Sequence, residues 1–200
     1  MAAGIKTLRY SLNIEKLRKI LENEGIEIYE GLTDEEFEKI ESFYNIKFPQ
    51  VLRILYKALL PNLYNWRDFS EDNVNKIKDY LAMPIEGIIF DIEYNNFWLD
   101  CFGEKTGDKE KDKAKALEYM KNEKEEDLPK LIPIYSHRYV PSFPDTIDVP
   151  IFSVHQTDII YYGRNIEDYF EHEFDSNYKA DQESADKGII QVPFWSKMVC

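Results

Sequence analysis

The sequence predicts an α+β fold: one domain with a mainly antiparallel central sheet and helices packed on one of its faces. Three observations carry this. Apolar residues recur at helical spacing from Ile14 to about Leu81, the period shortens towards two from residue 86 onward, and Pro, Asp, Ser and Gln-Thr turns separate the later apolar runs. The chain of 200 residues is 44% hydrophobic and carries 14 Tyr, 12 Phe and 3 Trp against 8 Gly. That content of large apolar side chains can offset the entropy of ordering one core.

Each element has its own signal. Ile14, Leu17, Ile20 and Leu21 share one helical face, giving a helix over about 12–24 that ends near Gly25. Thr33 and Glu36 have capping-box spacing, and Phe37, Ile40 and Tyr44 follow on one face, giving a helix over 34–44. Val51 to Leu60 is apolar on nearly every side and reads as the most buried helix, over 50–60, with Pro61 ending it. A fourth helix is expected from Ser70 with Val74, Ile77 and Leu81 inward, stopping before Pro84.

Beyond Pro84, "GIIFDIEY" alternates Ile88, Phe90, Ile92 and Tyr94 with Ile89, Asp91 and Glu93, the pattern of a half-solvated strand. On that reading Asp91 and Glu93 point the same way, towards solvent; such a pair can do acid–base work, although acids on an outer face are usually just hydrated. Trp98, with Phe97 and Phe102 close in sequence, is expected to be buried beside the sheet. Gly103 to Asp127 holds nine acids and seven bases and reads as an exposed helix with a mobile lead-in, its thin apolar stripe being Ala114, Leu117 and Met120. Strands follow in "KLIPIYSHRYVPS", "VPIFSV" and "DIIYY". Gly163 then closes the last strand, and Asn165 caps a helix that buries Ile166, Tyr169 and Phe170.

Charge restricts function. Acids outnumber bases 38 to 25, a formal charge of −13. Phosphate backbones are repelled overall and no basic cluster lacks interleaved acids, so direct nucleic-acid binding is not expected and a basic protein is the better match. Eight acids lie between Asn165 and Asp186 against Lys179 alone. With one helix face committed to the core, Glu167, Asp168, Glu171 and Glu173 are left for solvent or a partner, and Asp91, Glu93 and Asp100 extend that candidate partner-binding set.

Other chemistry is poorly signalled. Ser153, His155 and Asp158 fall within six residues, but no nucleophile elbow surrounds Ser153 and no nearby glycine builds an oxyanion hole. A hydrolase on these three residues is therefore the weaker reading. His137, His155 and His172 sit on separate elements without metal-ligand spacing, Cys101 and Cys200 have no partners at such spacing, and no phosphate-binding glycine loop occurs. No metal or cofactor is expected. The N-terminal stretch has no apolar core of a secretion signal, and "VLRILYKALL", broken by Arg53 and Lys57, is too short to cross a bilayer. A cytoplasmic protein without membrane contact is the expectation.

The order "LTDEEFEKIESFYNIKFPQVLRILY", "YNWRDFS", "GIIFDIEYNNFWLDCFG", "LIPIYSHRYVPS", "VPIFSVHQTDIIYYGRNIEDYFEHEF", with "PFWSKM" near the end, resembles bacterial members of the SUKH superfamily, which also includes a yeast cell-wall regulator. The resemblance covers about Leu32 to Phe174. It makes residues 1–31 an N-terminal helical extension of a domain over 32–200, and it leaves the Asp175–Lys187 insert unmatched. Where many relatives have a glycine-containing turn, this chain has Pro61-Asn62. The resemblance implies an α+β fold without catalytic residues. It also implies an immunity protein that binds and neutralises a cognate toxin, often a nuclease, the alternative being a non-catalytic regulatory scaffold.

Overall fold

The computed structural model describes residues 12–178 and 188–199. It has an α+β fold in which a four-stranded antiparallel sheet lies between two apolar cores. The first half of the chain is helical as the periodicity predicts. Helix α1 spans Ile14–Asn23, capped by the Asn13 side chain. α2 spans Asp34–Tyr44, with both hydrogen bonds of the Thr33–Glu36 capping box formed. α3 spans Gln50–Ala58. Two short strands, β1 (Ile28–Tyr29) and β2 (Leu60–Pro61), pair antiparallel and tie α1 to the end of α3. Leu17 and Leu21 of α1 are fully buried in the same core as α2 and α3.

The strand expected at 86–94 is instead the second half of a helix: α4 runs from Glu71 to Tyr94, through Pro84. The alternation of Ile88, Phe90, Ile92 and Tyr94 coexists with a helical series of Ile85, Ile88, Ile89 and Ile92, and Ile88 and Ile92 are the pair that is buried. Proline in a helix leaves the carbonyl four residues earlier without its N–H. Here that carbonyl is Tyr80 O, and the Tyr139 hydroxyl donates to it at 3.0 Å. A side chain from the sheet thus supplies the hydrogen bond that Pro84 cannot. Gly87 then lets α4 approach the sheet, since a Cβ there would lie 2.7 Å from the Cα of Gln156.

The sheet therefore begins at Leu131, not at 86. Its order is β3 (Leu131–Tyr135), β4 (Arg138–Pro141), β5 (Ile151–His155) and β6 (Asp158–Gly163), each antiparallel to the next. Strand alternation sends Ile132, Ile134, Val140 and Ile151 into the first core, with α1, α2, α3 and α6 (Ile166–Phe174). Leu131, Tyr139, Phe152, Val154 and Ile159 enter the second core, with the end of α4, α5 (Lys109–Asn122) and Trp195. Both faces are covered, where one was expected. α4 serves both cores, through Val74 and Ile77 before Pro84 and through Ile88 and Ile92 after it.

The charged segment forms α5 as expected, but Ala116 and Met120 are its buried residues and Ala114 is exposed. Its lead-in is fastened: buried Asp112 accepts from the N–H and hydroxyl of Thr106 and from the N–H of Gly107. Trp98 is half-buried against the second core, edge-on to Phe102.

Candidate protein-binding surface

The acidic face of α6 is the first candidate, and the structure shows what holds it. Asn165 caps the helix by accepting from Asp168 N. Ile166, Tyr169 and Phe170 are buried. The four acids expected to face a partner instead meet groups of the same chain. Glu167 accepts from the N–H of Asn13, one of the orphan donors at the start of α1, where a carboxylate also suits the helix dipole. Glu171 pairs with Lys16, one turn further along α1. Asp168 accepts from Arg164, through its N–H at 2.8 Å and its guanidinium at 3.0 Å, and from the Tyr178 hydroxyl. Burial alone would raise the Asp168 pKa, but the Arg164 hydrogen bonds and charge outweigh it and hold the carboxyl below its ordinary value.

Glu173 is nearly as enclosed as Asp168, at 16% against 13% side-chain exposure. It accepts from Arg138 Nε at 3.0 Å, with the two side chains 16% and 12% exposed. Arg138 also donates to Ser153 Oγ at 2.8 Å, contacts His137 Nε2, and lies over the Tyr162 ring at 3.5 Å. Arg138, Ser153 and Tyr162 come from three adjacent strands and share the face that meets α6. Ser153 Oγ thus accepts from Arg138, and no hydrogen bond joins it to His155 or Asp158 among the described residues. His155 and Asp158 are exposed partners across the β5–β6 turn. His137 flanks the β3–β4 turn with its pKa lowered, first by burial and then by Arg138. His172 stacks between Tyr162 and Tyr178.

Asp91 and Glu93 do not share an outer strand face, because they stand on α4. Asp91 is 4% exposed and accepts from the N–H of Thr157 at 2.9 Å, its hydroxyl at 2.6 Å, and the Asn95 amide. It fastens the end of α4 to the β5–β6 turn. Burial would raise its pKa, yet the Thr157 and Asn95 hydrogen bonds bring it below the ordinary value. Glu93 is paired with Lys113 at 2.8 Å, and this pairing lowers its pKa. Asp100 is exposed at the start of a short 3-10 turn, Asp100–Phe102, and has no ion pair among the described residues. Of the acids between Asn165 and Asp186, Asp181, Glu183 and Asp186 lie outside the described residues, as do Lys179 and Cys200.

A second acidic region was not picked out by motif reading, although counting reveals it. Glu22 to Glu41 holds nine acids against Lys39 alone. Three are paired: Asp34 with Lys57 at 2.6 Å, Glu36 with Arg67 at 2.6 Å, and Glu41 with Arg53 at 2.8 Å. Glu22, Glu24, Glu30, Glu35 and Glu38 are exposed and have no ion pair among the described residues. They run from the end of α1 through β1 to the first turns of α2. No family model, curated protein or solved structure matches this chain.

Proposed function

We propose that this chain is an immunity protein that binds a toxin domain one to one, presenting the acidic edge from α1 to α2 to a basic region of that toxin. The run of five exposed glutamates, without an ion pair among the described residues, carries the reading. An acidic face steers a basic partner into encounter and raises its association rate, and a nuclease whose nucleic-acid path is basic offers such a surface. The SUKH-like order of motifs supports the immunity class, and the charge of −13 supports a basic partner. Asp100, also exposed, is a second contact of the same sign.

The test is co-expression with the toxin-like C-terminal domain of a large secreted protein encoded beside this gene. Protection of growth, together with a one-to-one complex in size-exclusion chromatography, is the expected result. No protection and no complex would overturn the proposal; a complex with a non-toxic cellular protein instead would move the chain to the regulatory scaffold class.

A further inference from the structure

Where the two cores meet, the molecule has a cleft of about 600 Å³ between the end of α2, the middle of α4, the last turns of α5 and the loop leading into β3. Its origin lies in the packing. α4 leaves the first core and joins the second around Pro84, while the apolar residues that α5 fully buries are small or slender, Ala116 and Met120, so neither helix closes the space between them. Leu81, Ile85, Leu117 and Leu128 are left half-buried along the walls, beside Trp195. A cleft of this size with apolar walls suits a small ligand more than a water cluster.

The rim gives the ligand a sign. Lys78, Lys121 and Lys130 stand at the mouth, and none has an ion pair with a carboxylate among the described residues. Of the two acids there, Glu125 is already engaged, accepting from the Ser142 hydroxyl and the Lys130 N–H. Lys78 lies nearest the Phe43 ring, at 5.5 Å. Tyr44, also in the wall, is 8% exposed, and its hydroxyl has no hydrogen-bond partner among the described residues. In a chain with 38 acids and 25 bases, this mouth is one where ammonium groups outnumber carboxylates.

From the apolar walls and the lysine rim together, we propose that the cleft binds a free medium-chain carboxylate, with its tail between α4 and α5 and its carboxylate at Lys78, Lys121 and Lys130. The tail gains by leaving water, and the head group gains from three ammonium groups that have no carboxylate of their own among the described residues, the Lys130 ammonium donating only to the Asn45 carbonyl.

The probe is dodecanoate, titrated calorimetrically into the full chain below its micelle concentration, with dodecanol and acetate as the chargeless and tailless controls. One saturable site is expected, with both controls at least about tenfold weaker. Lys78→Glu combined with Lys121→Glu should weaken dodecanoate several-fold, by a margin that narrows as salt is added, and leave dodecanol unchanged. Ala82→Phe, which places a ring in the cleft from α4, should abolish binding. If that variant does not fold, the lysine pair on the surface still decides. Absence of saturable binding, dodecanol binding as well as dodecanoate, or indifference to the lysine pair would each overturn the proposal.

Discussion

Helix α6 and the edge from Glu22 to Glu41 are both rich in acid, but they use it differently. On α6 every acid of the predicted patch has a partner within the chain: Glu167 at the start of α1, Asp168 with Arg164, Glu171 with Lys16 and Glu173 with Arg138. On the α1–α2 edge five glutamates have no ion pair among the described residues. The difference follows from what each region packs against. α6 lies between the sheet and α1, so its acids are drawn into docking; the edge is the outer rim of helices whose apolar faces already point inward. Carboxylates counted along a chain are thus candidates for a partner only after those spent on the fold have been subtracted.

The hardest test of this contrast is Arg138→Ala. It leaves Glu173 mostly enclosed without its counter-charge and removes the donor to Ser153, and breaking one side of such a pair should cost about 3 kcal/mol in urea unfolding. A loss under about 1 kcal/mol would mean that the α6 acids are not committed to the fold. Tyr139→Phe is next. It should cost about 1–2 kcal/mol, because the Tyr80 carbonyl then has neither the proline N–H nor a hydroxyl to meet it. Amide exchange around the middle of α4 should speed up in the same variant, and unchanged exchange would argue against the rescue of Pro84.

Charge reversal separates the two regions directly. Asp168→Lys with Glu171→Lys breaks contacts to Arg164, Tyr178 and Lys16, so it should lower stability by about 1–2 kcal/mol. Glu35→Lys with Glu38→Lys alters exposed positions without an ion pair among the described residues and should stay within about 0.5 kcal/mol. Towards the toxin partner proposed above, the order should reverse. The Glu35 and Glu38 pair should slow association several-fold at low salt, with the defect shrinking as salt rises. Surface-plasmon kinetics at two ionic strengths checks this, and an on-rate reduced only by the α6 pair would restore α6 as the binding face.

Acid titration gives the smallest effect. Asp91 and Asp168 have folded pKa values below their ordinary ones, so each binds protons more weakly folded than unfolded. Their contribution is complete above about pH 4, the usual carboxylate range, and is lost as pH falls through the lower folded values. Urea midpoints should accordingly dip slightly as pH falls through the ordinary histidine range, because His137 binds its proton more weakly folded than unfolded, and decline further below about 4, with the lower decline shallower in Asp91→Asn.

The helices α1, α2 and α3, the four late strands and the α6 cap were legible because each rests on local physics: apolar spacing, a capping box, an Asn cap, and turns between short apolar runs. Residues 85–94 were not. Their apolar positions fit both a period of two and a helical one, and Pro84 argued for a stop. The deciding group, the Tyr139 hydroxyl, lies 59 positions along the chain from the Tyr80 carbonyl that it meets. The candidate surface was legible only as a count of charge. Sequence alone determined the composition, the excess of acid and the segments able to bury an apolar face, since these are properties of residues and near neighbours. The tertiary structure alone decided that α4 continues through its proline, that both sheet faces are covered, and which acids are spent on Arg138, Arg164 and Lys16. Each of those outcomes depends on a partner brought close by folding, and a hydrogen bond or ion pair acts over a few ångströms in space whatever the separation along the chain.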